Sequence, residues 1–174
     1  MVEWTGARYS DGPTVEATTW VDAAPERVWA VVADIESMPS MSAELQSVEW
    51  LDGATEPAVG ARFVGHSMHK ALGEWSSTSH VVECDAPRVL AWAVEDPDRP
   101  AATWRFTLEP ADGGTRLTQW ARLGPGRSGL SVAIERMPDK EGKIVFVRLR
   151  EFEAGMSATL AEIKARAESA PPRS

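Results

Sequence analysis

Three histidines lie within fifteen residues of one another: His66, His69 and His80. The first two form an H-x-x-H pair, and two histidines on one face of a helix are a common metal-binding arrangement. Histidine is also the usual acid–base side chain near neutral pH. The surrounding residues, however, have β-strand character, and positions i and i+3 of a strand point to opposite faces. We therefore expect no metal site.

The histidines belong to a predicted β hairpin, residues 61–84. If the hairpin pivots about the glycine of its turn, His66 lies opposite His80. If the pivot lies half a residue earlier, His69 shares the face of His80 instead. Alternation read back from the end of the second strand places Thr78 and His80 inward. His80 is then the candidate general base if the protein is an enzyme.

The whole chain predicts an α+β domain in which seven antiparallel strands precede one long helix. The connections between strands 2 and 7 are too short for parallel crossovers. A helix starting at Pro25 and a short turn or helix over 39–44 separate the first two strands. The predicted strands are 14–22, 45–51, 61–70, 74–84, 88–95, 102–110 and 115–123, followed by a short helix near 129–137 and a long helix over 139–169.

Alternation in the last three strands and a stripe on the long helix define the candidate pocket wall. One face of these strands is apolar, and the helix repeats apolar residues at spacings of three and four. A single helix is too narrow to cover a curved sheet, so either large side chains or a cavity must occupy the remaining space. The candidate ligand-binding residues are His66, His69, Thr78, His80, Trp92, Trp104, Phe106, Gln119, Arg148, Phe152 and Met156.

Several sequence motifs resemble those of one known superfamily. They are DAAPERVWAVVADIESMPSM, a G-x-R-F strand, W-x-x-x-x-x-VVE-x-D-x-P-R-x-L-x-W, and W-x-F-x-L-x-P-x-x-G-G-T-R-L-T, within residues 14–167. Together they resemble the START-like, or helix-grip (SRPBCC), superfamily, in its polyketide cyclase/dehydratase and lipid transport subgroup. The resemblance implies a curved seven-stranded sheet that grips the C-terminal helix around a pocket for an apolar or amphipathic molecule.

Composition limits the other possibilities. The chain has 174 residues and a formal net charge of −8, and residues 1–58 carry two basic and eleven acidic side chains. This distribution argues against a nucleic-acid partner. One cysteine excludes an internal disulfide. No signal peptide, integral membrane segment or glycine-rich phosphate loop is visible, so we expect a cytoplasmic protein without a cofactor.

Residues 14–168 are predicted to form one domain, with flexible ends over 1–13 and 169–174. Residues 124–137, which are rich in glycine at their start, are either a lid over the pocket or an ordinary connection. Three functions remain open: binding of a lipid- or polyketide-like molecule, catalysis by a cyclase, aromatase or dehydratase, or recognition of another protein. The sequence names no protein partner.

Overall fold

The structure is a computed structural model and is described for residues 1–169. Its strands are β1 Thr14–Val21, β2 Leu45–Trp50, β3 Arg62–His69, β4 Gly73–Asp85, β5 Val89–Val94, β6 Ala102–Ala111 and β7 Gly114–Leu123. Its α-helices are α1 Pro25–Val32, α2 Gly129–Arg136 and α3 Glu141–Ser169, and three short 3-10 helices include Ile35–Met41. The predicted α+β order is confirmed.

All seven strands form one antiparallel sheet in the order β1-β7-β6-β5-β4-β3-β2. The chain therefore crosses the whole sheet between β1 and β2, through α1 and the 3-10 helix. α1 begins with Pro25, whose missing N–H costs nothing in a first helical turn. Val28 and Val32 bury its apolar face. Both short helices pack into the core beneath the sheet, the 3-10 helix through Ile35 and Met41.

α3 packs its predicted stripe against the concave side of the sheet. Phe152 is half-buried. The other six stripe residues are buried: Val145, Leu149, Met156, Leu160, Ile163 and Ala167. The predicted inner face of β5, β6 and β7 is also confirmed, because Leu90 pairs with Phe106, which pairs with Gln119, and all three are buried.

The β3–β4 hairpin has a register that differs from both predictions. His66 lies opposite Ser76, and His80 lies opposite Arg62. The hairpin is therefore centred on Ala71, two residues before the expected pivot. His66 and His80 do not face one another.

The inward face of β4 is also the reverse of the prediction. Val81 and Ser79 are buried, whereas Val82 is 43% exposed. The pairing with β5 shifts at Val82, which is the extra residue of a β-bulge. A bulge reverses the parity of the strand beyond it, so alternation read back through Val82 assigned the wrong face. Thr78 and His80 lie on the outer face.

The N-terminal segment lies along the start of α3. Trp4 makes an edge-to-face contact with Phe146, with ring centroids 5.3 Å apart. The hydroxyl of Tyr9 lies 2.6 Å from the carbonyl oxygen of Gly126 and 3.1 Å from the Ser128 hydroxyl, before α2. The flexibility of residues 1–13 stays a prediction, as does a lid function for α2, and residues 170–174 lie outside the described part.

Candidate ligand-binding site

Aromatic rings fill much of the space beneath the sheet. Trp92 lies 5.8 Å from Phe63 and 6.0 Å from Phe106, measured between ring centroids, and all three are buried. Trp104 and Phe152 approach to 4.8 Å but are only half-buried. Of the two possibilities that the sequence left open, filling by large side chains accounts for this region. The half-buried pair marks the edge of the filled space.

The core consists of two clusters that meet at β7. The first, the α1 cluster, joins the sheet to α1 and the end of α3; its members include Val28, Leu117 and Ile163. The second, the α2 cluster, joins β1 and β7 to α2 and the start of α3; its members include Ala121, Leu130, Leu149 and Met156. Trp104 packs against both clusters.

Gln119 lies between these clusters on the inner face of β7, since Leu117 precedes it in the α1 cluster and Ala121 follows it in the α2 cluster. Gln119 is 6% exposed, and its side-chain oxygen, Oε1, has no hydrogen-bond partner among residues 1–169. On the neighbouring strands it pairs with Ala17 and Phe106, which offer no polar side chain. The structure thus holds an unpaired acceptor within an apolar wall.

A polar cluster, which we call the clasp, joins α3 to the β2 and β3 edge of the sheet. It consists of Glu44, His69, Arg148 and Glu151. Both terminal nitrogens of Arg148 donate to the carboxylate of Glu44 at 2.8 Å, a bidentate geometry. Oε1 of Glu151 lies 3.7 Å from Nη1 of Arg148, and Oε2 of Glu151 lies 2.5 Å from Nε2 of His69. The Arg148 guanidinium also lies 4.6 Å from the ring centroid of Phe152.

His69 is the inward histidine, and both of its ring nitrogens are engaged. Nδ1 accepts the backbone N–H groups of Ala71 and Leu72, at 2.9 and 3.2 Å. Nε2 must then carry the proton that is donated to Glu151. His69 therefore caps the β3–β4 turn and holds Glu151, and it has no lone pair available to accept a substrate proton in this arrangement.

The other three polar wall residues predicted on the hairpin, His66, Thr78 and His80, lie on the outer face. Nδ1 of His66, an exposed side chain, lies 2.5 Å from the Ser76 hydroxyl on the neighbouring strand. His80 and Thr78 share that outer face. The structure confirms that His66 and His69 point to opposite faces, and it brings Gln119, Arg148, Phe152 and Trp104 to the concave side. It separates His80, the expected general base, from all of them.

The two carboxylates of the clasp, Glu44 and Glu151, are not among the residues expected from the sequence. Glu151 lies three residues after Arg148 and directly before Phe152, so its position on the flank of the helix stripe was a usable signal. Glu44 precedes β2 in a connecting segment, where no periodicity indicates direction.

Two depressions, of about 520 and 450 Å³, lie on the outside of the molecule. The first lies between β1 and α3, beside Glu16 and Arg150. The second lies beside Trp29 and Cys84.

Burial, together with the charges of Asp85 and Glu56, raises the pKa of the Cys84 thiol, which donates to the carbonyl oxygen of Pro57. A protonated thiol is a poor nucleophile.

None of the helices in residues 1–169 combines the length and apolar character required to span a membrane. Residues 12–168 match the family model described as "Polyketide cyclase / dehydrase and lipid transport". No curated protein sequence matches the chain significantly.

Solved structures share the fold. The Polyketide_cyc-like protein Cgl2372 from Corynebacterium glutamicum is 23% identical, with a TM-score of 0.57 over 90% of this chain and 89% of that one. The di-domain ARO/CYC StfQ from the steffimycin biosynthetic pathway is 15% identical, with a TM-score of 0.70 over 89% of this chain and 50% of that one. TTHA0849 from Thermus thermophilus is 16% identical, with a TM-score of 0.59 over 89% and 97%.

Proposed function

The chain belongs to the polyketide cyclase / dehydrase and lipid transport family, and on that premise we propose that it binds an apolar or amphipathic small molecule between the concave face of the sheet and α3. The ligand lies along Trp104 and Phe152, and Gln119 accepts a hydrogen bond from a ligand hydroxyl. The observation that carries this proposal is the buried, unpaired Oε1 of Gln119.

An unpaired buried acceptor is costly for a protein to keep. Leaving such a group without a hydrogen bond costs ~1–3 kcal/mol, whereas a leucine at this position would avoid the cost. A ligand hydroxyl that donates to Oε1 would recover it. The rings of Trp104 and Phe152 contact one another and are half-buried, so we place the path of entry along them.

Catalysis by a pocket histidine, the alternative expected from the sequence, has less support. His80 lies on the outer face, and both ring nitrogens of His69 already have hydrogen-bond partners. A general base must reach the proton that it removes. The ARO/CYC descriptions of StfQ and of BexL from the BE-7585A biosynthetic pathway favour a polyketide-like ligand, and binding of such a ligand requires no base.

The test uses naphthol and naphthalene, which differ by one hydroxyl, in equilibrium dialysis. The wild type is expected to bind naphthol about tenfold more tightly, because only naphthol can donate to Gln119. Gln119→Leu should remove that preference. Gln46→Leu is the matched control, since Gln46 is exposed on β2 and should leave the preference unchanged. No binding of either compound by the wild type would contradict the proposal, as would a naphthol preference that survives in Gln119→Leu.

A further inference from the structure

We propose that Arg148 is the anchor for a carboxylate on the ligand, and that Glu44 occupies the place of that carboxylate when no ligand is bound. This inference rests on the proposed binding function and narrows the ligand to an apolar molecule with an acidic group.

Arg148 has the geometry of a carboxylate receptor. Its side chain is 9% exposed, and it holds the two oxygens of Glu44 with its two terminal nitrogens, each at 2.8 Å. A planar guanidinium recognises any carboxylate in this bidentate manner. The atoms contributed by Glu44 show where the two oxygens of a ligand carboxylate would lie.

The position of Arg148 connects this receptor to the apolar wall. Its guanidinium lies over the ring of Phe152, and Phe152 in turn contacts Trp104. A ligand with its carboxylate on Arg148 would lay its apolar part along these two rings. Gln119 lies in the neighbouring strand, two residues before Ala121, the partner of Trp104 in the sheet. A long ligand would thus have an acidic end at the clasp and a hydroxyl farther inside.

Glu44 is the carboxylate that can leave. Its side chain is 30% exposed, and among the described residues its carboxylate makes no side-chain hydrogen bond besides those to Arg148. Its backbone carbonyl is held by the N–H of Met68, so the side chain can rotate into solvent while the main chain stays in place. Glu151 is held by His69 Nε2 at 2.5 Å. Replacing the Glu44 carboxylate with that of a ligand leaves the charge around Arg148 unchanged, since both carry one negative charge.

The test compares dansyl-labelled undecanoic acid with its methyl ester, followed by dansyl fluorescence. Glu44→Gln removes the competing charge, so its affinity for the acid should rise about three- to tenfold, with the affinity for the ester unchanged. In the double variant Arg148→Met/Glu44→Gln, the acid should bind at least about tenfold more weakly than to Glu44→Gln. Removing both partners avoids leaving Glu44 as an unpaired charge.

Arg150→Met is the matched control, because Arg150 lies on the same helix but is exposed and stacks on Phe146; it should leave both affinities unchanged. The inference is overturned if Glu44→Gln leaves the acid affinity unchanged or lowers it, or if the double variant binds the acid as tightly as Glu44→Gln. If those results were obtained while naphthol or the ester still bound, they would show that the ion pair between Glu44 and Arg148 only stabilises the fold and does not recognise a ligand. Failure of the acid, the ester and naphthol alike to bind the wild type would instead remove the proposed function itself.

Discussion

Gln119→Leu should make the ligand-free protein more stable. The substitution keeps a side chain of similar size and removes a carbonyl oxygen that has no partner among the described residues. Relief of that desolvation is worth ~1–3 kcal/mol. Since the m value of a small protein in urea is about 1–3 kcal/mol/M, a gain of about 2 kcal/mol corresponds to an increase of roughly 0.7–2 M in the urea midpoint.

The measurement is urea unfolding followed by tryptophan fluorescence and by far-ultraviolet circular dichroism. Coincident transitions establish two-state behaviour, and an unchanged m value ensures that the shift in midpoint reports stability. Gln46→Leu serves as the control because that residue is exposed. Surface substitutions of this kind usually change stability by less than about 0.5 kcal/mol.

A loss of stability in Gln119→Leu, with the m value unchanged, would refute the reasoning. It would mean that the amide makes a net favourable contribution in the folded state, for example through a bound water. A gain in stability accompanied by loss of the naphthol preference would instead indicate that the glutamine stabilises the complex at the expense of the free protein.

Three further changes test the fold around this site. Gly155→Ala should stabilise the protein by about 1 kcal/mol in thermal melts, because alanine favours the helix and an added Cβ meets no atom within 4 Å. Destabilisation would contradict the open space beside Gly155. Gly126→Ala should lower the free energy of unfolding by about 1–3 kcal/mol, since the added Cβ would lie 2.1 Å from the carbonyl oxygen of Arg99. Gly129→Ala is the control, because a Cβ there meets no atom within 4 Å. Equal effects of the two substitutions on stability would contradict this packing. The rate at which iodoacetamide alkylates Cys84 should rise with pH, and the midpoint of that rise should lie at higher pH in the native protein than in urea, because the raised pKa keeps the native thiol protonated. A lower midpoint in the native protein would refute the burial argument.

The sequence was sufficient for the fold and for one half of the candidate wall. Alternation runs without interruption through β5, β6 and β7, so the burial of Leu90, Phe106 and Gln119 could be predicted. The helix stripe was equally regular, which placed Phe152 and Met156 correctly. In both cases one periodic element packs against one apolar surface, and the period alone defines the face.

The predicted register and inward face of the β3–β4 hairpin were wrong because two local features override periodicity. The extra residue Val82 reverses the inward face of β4, and a bulge has no reliable signature in a valine pair. The turn closes between His69, whose Nδ1 accepts two backbone N–H groups, and Gly73, which has a positive φ of 78° at the end of the turn rather than at its centre. A glycine in the left-handed conformation directly after a three-residue loop moves the centre of the hairpin to a position before the glycine. The clasp was equally hidden, because Glu44 and Arg148 are joined only in the folded structure.

The hydrogen bonds of His69 bear directly on how the clasp would work. Because Nδ1 accepts backbone N–H groups, Nε2 is the nitrogen that donates to Glu151. Glu151 is therefore held away from full pairing with Arg148, at 3.7 Å, while Glu44 makes the bidentate contact. Glu44 is thus bound more closely to Arg148 than Glu151 is, but no second side chain holds it. This arrangement allows Glu44 to exchange with a ligand carboxylate. The histidine that resembled a metal ligand in the sequence contributes by securing the carboxylate that must stay.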